Sequence, residues 1–450
     1  MRRRISRLTA AALALPFVLA GCAGNNDSGG GTGNAEIRYW LWDSNQLPGY
    51  QQCATDFQAK NSGTTVKIEQ FGWADYWDKL TTGLVAGTAP DVFTDHLNYF
   101  PTYAGKNQIL PLDDFVTRDG VPTDNYAKGL ADLWVFTDGK RYGLPKDFDT
   151  VAVFYNKKML ADAGVAESDL AGASWNPTDG GSYEKIIARL TVDRNGKRGN
   201  EPGFDKNHVA VYGLGQDENN GNGVGQQMWS MYALSTGWTY TDKNPWGTHF
   251  QYDDPRFQQT IGWYRSLIAK GYMPSLAIAR SGTSVNDAFG AGKYALSTNG
   301  SWMIGTYFGY KDVKVGVAPT PVGPTGQRAS IFNGLADAIY AGTKHKEAAW
   351  KWVKYLASAD CQKVVGGKAV VFPAIPAALT IAQGKFAAKG VDVKPFTTQI
   401  TDGTTHLYPI TDHATDVAAI MGPAMDAVLS FKADPDSLSA ANKEINALFE

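Results

Sequence analysis

Cysteine and histidine are scarce in this chain, which has three and six of them among 450 residues. Because zinc sites are built largely from thiolate and imidazole ligands, this scarcity argues against a metal centre. The formal net charge of −2 shows no basic excess, which argues against nucleic acid as a partner. The sequence also lacks a P-loop and a Gly-x-Ser-x-Gly elbow. After residue 20 it has no apolar run long enough for a membrane span.

The N-terminus has the layout of an export signal. Four arginines among the first seven residues precede an apolar run from Leu8 to Ala20, which is too short to span a bilayer as a helix. The closing tetrapeptide Leu19-Ala20-Gly21-Cys22 resembles a bacterial lipobox. That resemblance implies cleavage before Cys22, lipidation of Cys22 and retention on the outer face of the membrane. An ordinary signal peptide in which Cys22 has no role is the alternative, and a twin-arginine export route stays open.

The segment after Cys22 is small and polar. Residues 23–34 contain Gly, Asn, Ser, Asp and Thr but no large apolar side chain, so they cannot bury a core. We therefore expect a signal peptide over 1–21, a flexible tether over 22–35 and a folded part from residue 36. The remaining length exceeds one ordinary core and predicts two lobes of about 150–200 residues each.

Cys53 and Cys361 are the two cysteines of the folded part. In an oxidising exterior they are a disulfide candidate. The alternative is two buried thiols that do not contact each other, and the spacing of the cysteines in the sequence does not distinguish the two cases.

Strand and helix patterns alternate from the start of the folded part. The spacing of apolar residues predicts a parallel sheet covered by helices, hence an α/β fold. Because ligands bind beyond the carboxyl ends of such strands, Trp42-Asp43 and Thr94-Asp95 are expected on one rim. The predicted strands are 36–42, 66–71 and a third that opens at 91–93 and ends at Thr94-Asp95, and the predicted helices include 50–57, 76–85, 185–190, 257–270, 346–358 and 415–449.

Five blocks in order resemble the extracellular solute-binding proteins that serve ABC importers of sugars, of the maltose-binding type. The strongest runs from Gly139 to Lys157 and reads GKRYGLPKDFD followed by VFYNK. The resemblance covers nearly the whole mature chain. The other blocks are GTAPDV at 87–92, SW with the following helix at 174–191, FGAGKYA with GSW at 289–302, and the helix at 346–358.

This resemblance implies a two-lobed fold with hinge crossovers near 149–153, 319–323 and 349. Lobe 1 would comprise 36–150 and 323–348, and lobe 2 would comprise 151–322 and 349–450. The implied function is binding a carbohydrate, an oligosaccharide, between the lobes and delivering it to the permease of an ABC importer. A non-enzymatic monomer is expected, with no cofactor or metal and with the lipid anchor as its only contact with the membrane.

Sugar recognition needs aromatic faces for the apolar C–H surface of the ring, and carboxylates or amides for the hydroxyls. By position in the family, Trp302 is expected to be the stacking platform; a core tryptophan is the alternative. Asp147 and Asp149 share one side of an extended strand, so one of them is expected to face the cleft. Further expected ligand contacts are Trp42, Asp43, Asp95, Asn98, Trp229, Trp238, Asn333 and Gly334, with helix capping as the alternative for Asp43.

The chain departs from the family pattern in one late loop. Many sugar-binding relatives carry an arginine shortly after a late proline, but here Pro376 is followed by two alanines, so the identity of the sugar is open. A secreted glycoside hydrolase using Asp147 and Asp149, or the same scaffold binding a polyol, are the alternative functions.

The loop at 193–197 fails as a calcium site because Lys197 occupies a ligand position.

Overall fold

A computed structural model describes residues 35–218 and 223–450. The predicted signal peptide, the lipidation site at Cys22 and all but the last residue of the predicted tether lie outside the described residues. The first strand begins at Ala35, one residue before its predicted start. Among the described residues, no helix combines the length and the apolar character that crossing a bilayer requires.

The described elements alternate between strands and helices. The strands are β1 (Ala35–Leu41), β2 (Thr64–Gln70), β3 (Val92–His96), β4 (Pro145–Asp149), β5 (Val151–Asn156), β6 (Val192–Asp193), β7 (Val209–Leu214), β8 (Tyr294–Gly300), β9 (Val315–Ala318), β10 (Ser330–Ile339), β11 (Phe372–Pro373) and β12 (Thr405–Leu407).

The α-helices are α1 (Leu47–Lys60), α2 (Trp73–Ala86), α3 (Phe100–Gly105), α4 (Asp113–Asp119), α5 (Lys157–Asp162), α6 (Glu167–Ala171), α7 (Gly181–Leu190), α8 (Ser230–Leu234), α9 (Pro255–Ala269), α10 (Leu276–Ala279), α11 (Val285–Gly290), α12 (Ile304–Tyr307), α13 (Lys346–Leu356), α14 (Ala359–Lys368), α15 (Pro376–Ala388), α16 (Lys394–Thr401), α17 (Ala414–Leu429) and α18 (Leu438–Asn446). Single 3-10 turns lie at Ala131–Trp134, Ser301–Met303, Pro435–Ser437 and Ala447–Phe449.

The first sheet has the strand order β11-β4-β10-β3-β1-β2, and β12 pairs with β10. Strand β1 runs parallel to both β2 and β3, as the strand–helix alternation predicts. Every residue of β3 and β4 is buried, because both are interior strands of the sheet. Helix α2 ends at Gly87, whose left-handed φ of 75° suits a residue without a Cβ atom.

The second sheet has the strand order β6-β7-β8-β5-β9. Its central strands β5 and β8 are antiparallel neighbours, and all their residues are buried. Helices α7, α8, α9, α17 and α18 bury their apolar faces in one core with this sheet. The two sheets therefore define two α/β lobes.

Helices α13, α14 and α15 pack in the core of the first lobe. Trp350 and Trp352 of α13 are fully buried there, and a disulfide joins Cys53 of α1 to Cys361 of α14. The expected assignment of 349–450 to lobe 2 is therefore corrected: α13, α14 and α15 belong to the first core, whereas Tyr408 and the part from α17 onward join the second. This disulfide confirms the candidate pairing of Cys53 with Cys361.

Three segments connect the lobes. The first is Thr150, which lies between β4 and β5 within the predicted crossing at 149–153. The second lies inside β10, where Ile331 belongs to the second core and Ala336 to the first, so the expected crossing at 319–323 is corrected to about ten residues later. The third follows α15, which belongs to the first core, because Gln399 of α16 already donates to the carbonyl of Val151 in β5; the expected crossing near 349 is wrong.

Candidate functional site

A cavity of about 400 Å³ lies between the two lobes, a size suited to a small organic ligand. Its walls combine aromatic rings with carboxyl and amide groups. The first lobe and the crossovers contribute Trp42, Asp43, Ser44, Asn45, Gln46, Trp73, His96, Asn98, Tyr99, Asp147, Phe148, Asp149, Asn333, Leu335, Val371 and Tyr408, and the second lobe contributes Asp217, Glu218, Gln226, Gln227, Asn286, Asn299, Ser301, Trp302, Met303 and Thr306.

Trp302 stands where β8 ends, on the wall of the second lobe. Its indole ring is half-buried and folds back over Gly300: a Cβ atom at residue 300 would lie 1.8 Å from the ring. The absent side chain of Gly300 therefore makes room for the ring. From this position Trp302 lines the cavity, where an aromatic ring can serve as a stacking platform.

Aromatic rings also line the wall of the first lobe. Trp42 packs edge-on against Trp73, with ring centroids 5.2 Å apart, and Trp77 stacks on Tyr99 at 3.8 Å. Trp73 is 39% exposed, which is unusual for a tryptophan of this chain. The sequence predicts Trp42 but misses Trp73, which begins helix α2 and has no motif around it.

Asp147 and Asp149 both line the cavity from β4, and both are largely buried. Alternation along the strand places them on the same face. Oδ2 of Asp147 and Oδ1 of Asp149 have no hydrogen-bond partner within the described residues. Burial raises the pKa of Asp147 to about 7, opposed by nearby Lys146, and burial together with Asp147 raises the pKa of Asp149. Both carboxyls line the cleft, whereas the sequence predicts that one of the pair does.

Asp147 is expected to make the ligand-free fold less stable as the pH rises. The folded chain holds a proton that the unfolded chain releases near pH ~4, so the stabilisation is complete below pH ~4 and is lost as the pH approaches the raised pKa of about 7. Asp147→Asn should therefore be more stable than the wild type at pH 8 by on the order of a few kcal/mol, and equal to it near pH 4. Urea unfolding at both pH values, with the exposed Asp124→Asn as control, measures the difference. A variant no more stable than the wild type at pH 8 would contradict this assignment.

A buried ion pair lies beside these carboxyls. Nζ of Lys146 donates to Oδ1 of Asp337 at 3.1 Å, to Oγ1 of Thr94 at 2.8 Å and to the hydroxyl of Tyr39 at 3.0 Å. Both charged side chains are 2% exposed. The ammonium also lies 4.3 Å from the ring centroid of Tyr50. This group of residues ties β4 to β1, β3 and β10, which together carry much of the cavity wall.

Amide side chains line the second lobe in a connected network. Asn299 donates through Nδ2 to Oδ1 of Asn286 at 3.0 Å, and the hydroxyl of Tyr307 donates to the same oxygen at 2.9 Å. Across the cavity, Nδ2 of Asn45 donates to Oγ1 of Thr306 at 3.2 Å. The last bond joins the two lobes, so the structure is closed at this point.

Asn333 lines the cavity from the crossover strand β10. Its amide nitrogen lies 2.6 Å from Nε2 of His96, and its Oδ1 is buried without a partner. Burial lowers the pKa of His96 to about 3, so the imidazole is neutral at physiological pH. The neighbouring Gly334 pairs with Phe148 in the sheet and does not line the cavity, which corrects its expected role.

Asp95 is fully buried and does not line the cavity. Strand β3 continues to His96, one residue past its predicted end, so Asp95 lies inside the strand and its Oδ1 accepts the backbone N–H of His96. The expected ligand role of Asp95 is therefore corrected. Asn98 of the same predicted loop does reach the cavity.

Trp229 and Trp238 lie in the core of the second lobe and not in the cleft. Both are fully buried, and Trp238 stacks on Phe257 with ring centroids 4.6 Å apart. The indole N–H of Trp238 donates to the carbonyl of Gln251. Their expected ligand role is wrong because α9 covers them.

Asp43 has a structural role in addition to its place on the wall. Its Oδ1 accepts the backbone N–H of Asn45 at 2.8 Å, and its Oδ2 accepts Nε2 of Gln46 at 2.9 Å. Burial raises the pKa of Asp43 despite these bonds. The turn that it holds leads into α1, but the N-cap residue of α1 is Gln46 and no side chain caps the helix, so the capping alternative for Asp43 is wrong and its place on the cavity wall remains.

The cavity contains several residues that sequence patterns do not reveal. His96, Asn286 and Tyr408 come from a strand end, a helix and the residue after β12. Each stands in an ordinary local sequence, and their convergence is a tertiary property. The strand-end rule, extended to the new bounds of β3, would have found His96.

Comparisons with known proteins agree with this architecture. A family model described as bacterial extracellular solute-binding protein matches residues 52–394. The maltooligosaccharide ABC transporter solute-binding lipoprotein of Streptococcus pneumoniae R6 is 25% identical over 334 residues, covering 72% of this chain and 69% of that protein. A diacetylchitobiose binding protein of Streptomyces coelicolor is 33% identical over 156 residues, 33% of this chain and 36% of its own.

Solved structures share the fold at lower identity. An ABC substrate-binding protein from Listeria monocytogenes, in complex with cycloalternan, has a TM-score of 0.78 and 20% identity, covering 92% of this chain and 99% of that chain. The acarbose-binding receptor structures from Streptomyces glaucescens have a TM-score of 0.72 and 20% identity, covering 92% and 98%.

Proposed function

The chain belongs to the bacterial extracellular solute-binding proteins, and we propose that it binds a carbohydrate, an oligosaccharide, between its lobes and delivers it to an ABC importer. The observation that carries this proposal is the cavity wall, where the half-buried ring of Trp302 lies across from unpartnered carboxyl and amide atoms. Relatives and structural neighbours named for oligosaccharides support the substrate class.

The wall offers the two chemistries that a sugar ring needs. Trp302 supplies an aromatic face for the C–H surface, with Trp42 and Trp73 on the opposite lobe. Asp147, Asp149 and Asn333 each present a buried oxygen that has no partner in the described protein. Since a buried acceptor without a partner costs about 1–3 kcal/mol, hydroxyl donors from a ligand would stabilise the closed form.

The proposed mechanism is closure of the lobes on the ligand. The crossover at Thr150 is a single residue between two strands, which favours rotation of one lobe against the other. A sugar touching both walls has more contacts in the closed form, so it shifts the equilibrium toward that form. The bond between Asn45 and Thr306 is one contact that forms only when the walls approach.

We propose further that the protein is an exported monomer, anchored outside the cell by lipid on Cys22 and read by a permease in its closed shape. The lipobox and the lipoprotein name of the pneumococcal relative support the anchor. A single acyl chain binds membranes only marginally, so durable anchoring needs more than one.

The proposed activity is binding without turnover. A calorimetric screen against mono-, di- and trisaccharides, with a polyol set as comparison, should identify a sugar that binds one to one. Chromatography of the same labelled sugars after incubation should recover them unchanged. Products formed at enzymatic rates would favour the hydrolase, and binding restricted to polyols would contradict the substrate class.

A further inference from the structure

The cavity wall is rich in carboxyl groups and poor in cationic side chains. Five carboxyl groups line it, and none of the described lining residues is lysine or arginine. Residues 219–222, which separate the described ranges, read Asn-Asn-Gly-Asn and carry no charged side chain. The carboxyl groups belong to Asp43, Asp147, Asp149, Asp217 and Glu218.

Three of these carboxyls are held by neutral donors of the protein. Asp43 accepts from the backbone N–H of Asn45 and from Gln46. Oδ2 of Asp217 accepts Nε2 of Gln227 at 3.0 Å, and Oε2 of Glu218 accepts the backbone N–H of Val285 at 3.2 Å. These bonds fix the three carboxyl groups in place.

Asp147 and Asp149 differ from these three residues in their hydrogen bonding. Each is at least nine-tenths buried, and each has one oxygen without a partner in the described residues. The nearest ammonium, on Lys146, donates to Asp337, Thr94 and Tyr39. Two carboxyl groups on one face of a strand therefore meet the cavity with no cation in contact.

We propose that the cleft selects a carbohydrate that carries a protonated amine, with the ammonium group between Asp147 and Asp149. This inference rests on the proposed function and names its substrate class. Residues two apart on a strand are separated by about 6.5–7 Å, and an ammonium has three donors, so one such group can reach both carboxyls. Burial raises the pKa of both carboxyls in the ligand-free protein, and a bound ammonium would lower it again, so both would ionise on binding. Hydrogen bonds between ionised partners are stronger than those between an ionised and a neutral group.

The same wall disfavours anionic sugars. A uronic acid or a sugar phosphate would add negative charge to a desolvated site that already holds five carboxyls. A neutral sugar can donate hydroxyl protons to the carboxyl groups but cannot compensate the negative charge that they carry when ionised. The expected order of affinity is therefore amino sugar, then neutral sugar, then acidic sugar.

Matched sugars that differ only at C2 test the preference for an amino sugar over its neutral counterpart. The probes are the β-1,4 disaccharide of glucosamine, its di-N-acetyl form and cellobiose, together with glucosamine against glucose, galactosamine against galactose, and mannosamine against mannose. Isothermal titration near pH ~7 should show the amine member of a bound pair tighter by about tenfold or more. In Asp147→Asn and Asp149→Asn this ratio should fall toward one, while Asp124→Asn should preserve it.

Neutral members that bind as tightly as their amines, or binding confined to other neutral sugars of the screen, would overturn the amine preference and leave the proposed function standing. If no carbohydrate of any kind binds, the proposed function fails together with this inference. The comparison of sugars on the wild-type protein does not depend on how the variants fold.

Discussion

Replacing Trp302 by alanine is expected to weaken carbohydrate binding by about 30- to 1,000-fold, which corresponds to a loss of about 2–4 kcal/mol. The ring supplies the aromatic surface of the second lobe, and it is only half-buried, so its removal should affect the fold little. Isothermal titration with the sugar found in the screen measures the affinity, and thermal unfolding checks the fold. An unchanged affinity would remove Trp302 from the site.

Gly300→Ala is a second variant that tests the same ring without deleting it. A methyl group at residue 300 cannot coexist with the present position of the Trp302 indole, because the two would lie 1.8 Å apart. The backbone at Gly300 is extended, with φ of −84°, and accepts alanine without strain. The affinity should therefore fall although the tryptophan is present. Phe431→Ala removes an exposed aromatic ring that does not line the cavity, and it should leave affinity unchanged.

Replacing Lys146 by methionine is expected to destabilise the protein by about 3–5 kcal/mol. Methionine fills a similar volume, but the carboxylate of Asp337 would remain buried without its cation. The hydrogen bonds from the ammonium to Thr94 and Tyr39 would also be lost. Urea unfolding at neutral pH measures the change in the free energy of unfolding. A loss below about 1 kcal/mol would show that the pair resembles an exposed salt bridge.

The double variant Lys146→Met with Asp337→Asn distinguishes the energy of the ion pair itself from the contributions of the surrounding residues. Removing both charges leaves no uncompensated buried ion, so the double variant should be more stable than Lys146→Met alone. If the two substitutions simply add, the pair is not coupled. The single variants should also disturb the site, because Lys146 opposes the upward shift in the pKa of Asp147.

Local sequence predicted the elements of the first sheet well. The spacing of apolar residues in β1, α1, β2 and α2 is set by the burial of one helix face and of interior strands, and that pattern is visible in the chain itself. The end of β3 was less predictable, since His96 continues a strand that is buried throughout. This shift of one residue places His96, and not Asp95, on the cavity wall.

Assignment of elements to lobes was not predictable in the same way. The pattern of α13 identifies an amphipathic helix, but nothing in it states which sheet the apolar face covers. Trp229 and Trp238 show the same limit, because glycine and polar neighbours surround aromatic residues in cores as well as in clefts. Trp302 was placed by its position in the family, and the close approach to Gly300 that orients it is a tertiary contact.

Hydrogen–deuterium exchange with and without the bound sugar tests most directly whether the ligand lies between the two lobes. Slower exchange is predicted on both walls in the same complex, at residues 43–46 and 96–99 of the first lobe and at 299–306 of the second. Protection confined to one lobe, or found instead at the groove lined by Glu167, Arg328 and Asp392, would contradict binding in the cleft.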